Sequence, residues 1–200
     1  CTLSPHTVLC TLVSSFEHFL SKIIISYLCE FYGLPEVADY WASVVRINEW
    51  QTDRFFQNIL HEQFNTLAGK TITLLGFAFK QDTGDTRDSP AIPLCEKLLG
   101  EHAKVRVHDP KALENARIDL KEMQGDVRFF EDVYEAAEGA HSLALVTQWT
   151  EYRELDFERI FNKMVKPAFI FDGRNHLDHK KLFEIGFNIF PLGKPPLKHV

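Results

Sequence analysis

From Gly69 onward short apolar runs alternate with amphipathic stretches, and this alternation constrains the chain more than any other feature. Residues 71–77 (TITLLGF) are apolar and β-branched, as expected of a strand buried on both faces. Ser89-Pro90 reads as a helix start, with serine as the cap and proline at the first position; the helix is expected to reach Leu99 and stop at Gly100. Residues 105–108 read as the next strand, closed by Asp109-Pro110. Further strands are expected at 142–147, 168–171 and 187–190, and helices near 132–138, 155–164 and 180–185. Strands separated by helices need crossover connections, so the expected architecture is α/β: a parallel sheet with helices on both faces.

Three stretches surround this pattern. Residues 1–32 are an apolar lead-in, helical from about Val13 to Glu30. Residues 33–67 are helical: Val37, Trp41, Val44 and Val45 recur at three- and four-residue steps, as do Phe56, Ile59, Leu60 and Phe64. Gly33-Leu34-Pro35 opens this stretch, and a weak point near Asn48 divides it into two helices. Residues 68–192 form the α/β domain, and the tail at 193–200 (GKPPLKHV) is expected to be loose.

The chain has 200 residues and a formal net charge of −6. That balance lacks the basic stripe of a nucleic-acid partner. Glu17, His18 and Lys22 interrupt the apolar lead-in, so neither a membrane span nor a signal peptide is expected. The four cysteines, Cys1, Cys10, Cys29 and Cys95, have no metal-binding spacing and suit a reducing, cytoplasmic setting. His176 and His179 flank Asp178 on what reads as a solvated surface, and no metal is expected. The chain begins with Cys1, as a processed, trimmed or partial sequence would.

In an open parallel sheet, ligands sit beyond the carboxyl ends of the strands. Three segments fall there: residues 79–87, Thr147-Gln148-Trp149 and Asp172-Gly173-Arg174. Lys80 and Arg87 are cations in a loop that opens onto a helix N-terminus, where amide donors and the helix dipole favour an anion such as a phosphate. Asp82, Asp85 and Asp88 lie among them and could hold them in ion pairs, so a solvated charged loop is the alternative. For Arg174, whose planar fork suits an anionic or sugar oxygen pair, the alternative is a structural pair with Asp172.

The segments GFAFKQDTGDTRDSP, VHDP, TQWTEYRELDFERI and KPAFIFDGRNHLD, in this order, resemble the C-terminal domain of UDP-glucose 6-dehydrogenases. LPEVADYW resembles the central helices of the same family. The resemblance covers about residues 27–192. It implies a Rossmann-like domain that grips the UDP part of UDP-glucose, within an NAD-dependent, two-step oxidation to UDP-glucuronate. It further implies that Phe79, Lys80 and Arg174 contact UDP-glucose, and that Arg87 reaches across an interdomain cleft to NAD. The helices at 34–64 would be a homo-oligomer interface, leaving Trp41, Val45, Phe56 and Leu60 exposed in a lone chain.

The departures from that family set the functional expectation. No G-x-G-x-x-G dinucleotide fingerprint occurs in these 200 residues, and Gly76 stands alone. Aligned on Tyr27-Leu28-Cys29-Glu30, Glu17 falls where the family carries a nucleophilic cysteine. Cys10 has no glycines around it, and Cys29 reads as a small buried hydrophobe. No residue is therefore assigned a catalytic role. The expectation is the UDP-sugar-binding portion of a UDP-glucose 6-dehydrogenase, without the NAD-binding half. The alternative is a non-catalytic nucleotide-sugar-binding or oligomerisation module. A GDP-mannose enzyme is a remoter reading.

Overall fold

The structure is a computed structural model that describes residues 19–199. The expectations for Cys10, for Glu17 and for a helix start at Val13 lie outside the described residues. Two compact units divide the chain, one ending at Arg54 and one beginning at Phe55.

In the first unit, α1 (Phe19–Phe31) turns at Gly33, whose φ is +73°, into α2 (Pro35–Glu62). Ile25, Cys29 and Ala38 are buried together, with Leu34, Val37 and Trp41 packed against them. Tyr27, Phe31, Tyr40, Ile47 and Trp50 remain exposed. No helix among the described residues is long and apolar enough to cross a membrane. The expected break near Asn48 does not occur. α2 is one helix of 28 residues, because a single asparagine costs a helix only a few tenths of a kcal/mol.

The second unit is a six-stranded, all-parallel sheet in the order β3-β2-β1-β4-β5-β6. The strands are β1 (Thr71–Leu75), β2 (Lys104–His108), β3 (Asp126–Phe129), β4 (Ser142–Leu145), β5 (Phe169–Asp172) and β6 (Asn188–Pro191). The helices between them are α3 (Ala91–Gly100), α4 (Leu113–Asp119), α5 (Val133–Ala137), α6 (Phe157–Lys163) and α7 (His179–Ile185). Side chains alternate across the sheet and build a core on each face. On one face Ile72, Leu74, Val105, Val107, Ala144, Phe169, Phe171 and Phe190 meet α3 and the last turns of α2. On the other, Leu75, Leu143, Leu145, Ile170 and Ile189 meet α5, α6 and α7. Part of the high phenylalanine content forms a stack across β5 and β6: the ring centroids of Phe171 and Phe190 lie 5.0 Å apart.

The parallel α/β architecture is as expected, with several differences in detail. β3 and α4 had no counterpart in the sequence reading. β3 is a four-residue edge strand, DVRF, half-exposed along its length; its alternation rests on Val127 and Phe129 alone and was passed over in the sequence reading. β1 ends at Leu75 because Gly76 leaves the strand with φ +90°. α3 begins one residue late, at Ala91; Ser89 precedes the cap, and its Oγ donates to Phe77 O at 2.6 Å. Phe56 and Leu60, expected on an exposed interface, belong to the sheet core instead. The tail is held rather than loose. Leu197 forms an antiparallel bridge with Ile189, Lys198 pairs with Glu62 at 2.8 Å, and the His199 ring stacks on Phe183 at 4.0 Å.

Candidate functional site

The chain leaves β1 for β2 and β3 on one side of the sheet, then crosses to β4 on the other. The strand order therefore reverses between β1 and β4, and the crevice at such a switch point is where open α/β sheets bind ligands. The segments that follow β1, β4 and β5 meet on this edge.

Gly76 sets the exit from β1. A Cβ placed there would lie 2.4 Å from Thr147 Cβ and 2.7 Å from Thr147 N, so only glycine admits the segment after β4 so closely. Thr147 N donates to Leu75 O, and Thr147 Oγ1 donates to Ala78 O, which fastens the β4 exit to the β1 exit. One strand further along, Arg174 Nε donates to Val146 O at 2.5 Å, and Arg174 N donates to Asp172 Oδ1 at 3.0 Å. The Arg174 side chain thus spans toward β4 and does not pair with Asp172. Burial lowers its pKa from the ordinary guanidinium value.

Phe79 and Lys80 begin the loop after β1. Phe79 is half-buried and Lys80 exposed, with Lys80 Nζ 5.1 Å from the Phe79 ring centroid. Phe79 N donates to Asp85 O, closing the loop on itself. Asn115 Nδ2 donates to Gly84 O at 2.6 Å and ties the loop tip to α4. Phe79, Lys80 and Arg174, singled out from the sequence, share one edge through the linked exits of β1, β4 and β5.

Arg87 is in the same loop but is directed to Asp85, its Nε 3.0 Å from Oδ1 and its Nη2 2.6 Å from Oδ2. The hydrogen bond and charge of Asp85 raise the Arg87 pKa. His176 Nε2 lies 3.0 Å from Trp149 O, and His179 Nε2 lies 2.8 Å from Asp172 Oδ2. Both histidines therefore brace the loop that carries Arg174.

Sequence reasoning missed the anchoring role of two buried carboxylates, reading Asp172 only as a possible pair for Arg174 and Asp109 only as the end of a strand. Asp172 is 0% exposed; besides Arg174 N it receives His176 N, Leu177 N and the His179 ring at Oδ2. Asp109 is 2% exposed and receives five N–H donors. The available signal was an aspartate followed two and three residues later by free backbone amides, the pattern of a side-chain-closed turn.

This sheet fits a dinucleotide poorly. The first turn of a dinucleotide-binding sheet brings several glycines to the pyrophosphate, and an acid at the end of β2 takes the ribose hydroxyls. Here the turn is Gly76-Phe77-Ala78-Phe79-Lys80, its glycine is occupied by Thr147, and Asp109 at the end of β2 is filled from within. The chemistry available is that of a cationic edge for a smaller anion.

A model of the UDP-glucose/GDP-mannose dehydrogenase family, UDP binding domain, matches residues 73–179. UDP-glucose 6-dehydrogenase 5 of Oryza sativa subsp. japonica is 46% identical, and UDP-glucose 6-dehydrogenase 1 of Arabidopsis thaliana 45%. Each match takes in 91% of this chain, which spans only 41% of the relative's length. A UDP-glucose dehydrogenase structure from Pyrobaculum islandicum superposes with a TM-score of 0.68 at 29% identity, covering 86% of this chain and 35% of that one. The segment from β1 to the start of α7, with the strand exits that form the edge, is the matched region, and the chain belongs to the UDP-glucose/GDP-mannose dehydrogenase family.

Proposed function

We propose that this chain is the UDP-sugar-binding, C-terminal portion of an NAD-dependent UDP-glucose 6-dehydrogenase, which oxidises UDP-glucose to UDP-glucuronate. The observation that carries the reading is that the exits of β1, β4 and β5, which bear Phe79, Lys80 and Arg174, are hydrogen-bonded to one another along one edge of the family-matched domain. Lys80 supplies a mobile point charge and Arg174 a planar fork, the two cation types that hold diphosphate and sugar oxygens. Phe79 offers an apolar face beside them. The relatives at 43–46% identity are UDP-glucose 6-dehydrogenases, which favours UDP-glucose over a guanosine sugar. NAD belongs to the reaction through the family. Arg87 is the residue of this chain that the family resemblance assigns to it, and its guanidinium is paired with Asp85.

A second reading, a non-catalytic nucleotide-sugar-binding module, is favoured by the poor fit of this sheet to a dinucleotide. Both readings require the same ligand. Titration calorimetry should show UDP and UDP-glucose binding and GDP-mannose binding at least ten-fold more weakly; equal affinity for all three would refute the uridine assignment.

Self-association is part of the proposal. Tyr27, Phe31, Tyr40, Ile47 and Trp50 leave apolar area on α1 and α2 of the kind that marks an interface. Sedimentation should detect a dimer or larger species at micromolar concentration, and a stable monomer would exclude it. The free thiols Cys29 and Cys95 accord with residence in the cytoplasm.

A further inference from the structure

The buried carboxylate at the end of β2 is bonded to the two residues that lead into the loop of Phe79 and Lys80 and to the segment after β4. Asp109 Oδ2 accepts from Phe77 N at 2.6 Å, Ala78 N at 2.9 Å and Trp149 Nε1 at 3.0 Å. Asp109 Oδ1 accepts from Lys111 N at 2.9 Å and Ala112 N at 2.7 Å. One side chain therefore joins the exits of β1, β2 and β4, three neighbouring strands. Phe77 and Ala78 are the two residues immediately before Phe79 and Lys80. Trp149 closes the segment that Thr147 begins, and Lys111 Nζ lies 5.7 Å from the Trp149 ring centroid and 4.0 Å from Asp82 Oδ1. Each bond ends on a charged acceptor shielded from water, the strong class of hydrogen bond.

Five donors exceed what any uncharged replacement can satisfy. An asparagine has one acceptor oxygen and, in place of the other, an NH2 group that faces further N–H groups. It can keep the Oδ1 set or the Oδ2 set, but not both. The structural cost of a buried network partly satisfied is high, and the loop that loses its anchor is the one carrying Phe79 and Lys80.

Resting on the UDP-binding reading, we propose that Asp109 is a positioning residue for the nucleotide site: its carboxylate fixes the Phe77-Ala78 amides and the Trp149 indole so that Phe79 and Lys80 face the ligand. The position at which a dinucleotide sheet meets a ribose is here turned inward to set the phosphate-side loop. Asp109 touches no ligand itself and acts through the backbone it holds.

The test compares UDP affinity by calorimetry for the full chain, Asp109→Asn, and a core control, Ile160→Ala, on the opposite side of the sheet from α3. Asp109→Asn should lose about ten-fold or more in affinity, the factor that corresponds to one ordinary hydrogen-bond energy. Ile160→Ala should lose thermal stability and keep its affinity in the folded state. A purely structural Asp109 would give two variants alike, both less stable and both binding as well as the parent, and that result overturns the proposal. Nuclear magnetic resonance of the parent chain decides the matter should Asp109→Asn not fold. Saturation with UDP should then shift the Phe77 and Ala78 amides and the Trp149 indole proton, and three unmoved resonances would overturn it. Failure of the parent chain to bind UDP at all would instead sink the functional reading.

Discussion

Replacing Gly76 with alanine tests the argument that the switch point is built by one close crossing. The new Cβ would meet Thr147 Cβ at 2.4 Å, N at 2.7 Å and Oγ1 at 2.8 Å, on a residue with φ +90°. A positive φ costs a residue with a side chain about 1–2 kcal/mol. Overlap in a packed site adds about 1–3 kcal/mol, because Thr147 can move away only by breaking its bonds to Leu75 O and Ala78 O. The sum, about 2–5 kcal/mol, corresponds to a fall in Tm of roughly 5–15 °C for a unit of this size. Urea denaturation followed by circular dichroism measures it, with the sheet unit analysed as its own transition because the chain has two units. Adding Thr147→Gly removes the Cβ and Oγ1 overlaps but not the backbone one, so the double variant should recover about 1 kcal/mol relative to additivity. A loss below about 1 kcal/mol in Gly76→Ala, or strict additivity in the pair, would refute the close-crossing account.

Two further outcomes follow from buried groups and from the first turn of the sheet. Desolvation lowers the pKa of His108 and of His141 from the ordinary 6.5. The unfolded chain therefore binds protons that the folded chain resists, and stability is complete above about pH 6.5 and declines as pH falls below it, by at most about 1.4 kcal/mol per pH unit for each histidine; thermal melts between pH 7.5 and 5 should show the decline, shallower in His108→Gln, and a flat profile would contradict it. Incubated with UDP-glucose and NAD, the 200-residue chain should yield no NADH absorbance, since the strand-to-helix turn after β1 lacks the glycines that admit a pyrophosphate; turnover that disappears in Lys80→Ala would contradict this.

The sequence and the structure agree where local chemistry and tertiary context demand the same thing. Residues 71–75 had to be a strand because nothing else buries five consecutive apolar or β-branched side chains between two helical layers. Gly100 and Lys180 mark helix ends that the structure keeps within a residue. β3 was overlooked because its alternation, Val127 and Phe129 in DVRF, spans just four residues, the shortest run that marks a strand. The tail was misjudged because Pro195-Pro196 suggests a free segment, whereas the pairing is made by Leu197 just beyond them. At the site, Phe79, Lys80 and Arg174 came from residue type, spacing and family resemblance. The anchoring role of the carboxylates Asp109 and Asp172 did not. Asp172 is met by groups within seven residues of it and Asp109 partly by its own turn, but the Phe77 and Ala78 amides and the Trp149 indole reach Asp109 from 31 to 40 residues away, which no local pattern encodes.

The most direct test of the central claim is UDP titration of the chain beside Lys80→Ala and Arg174→Ala. A charge-assisted hydrogen bond is worth about 1.5–3 kcal/mol, so each substitution should weaken UDP by about ten-fold or more. Both variants should stay folded, because Lys80 is exposed and Arg174 gives up a single side-chain bond at the rim of the sheet. Saturable binding by the parent chain with this loss in both variants is the result predicted. Equal affinity in all three proteins, or no binding by the parent, would contradict the assignment of the β1–β4–β5 edge as the nucleotide site.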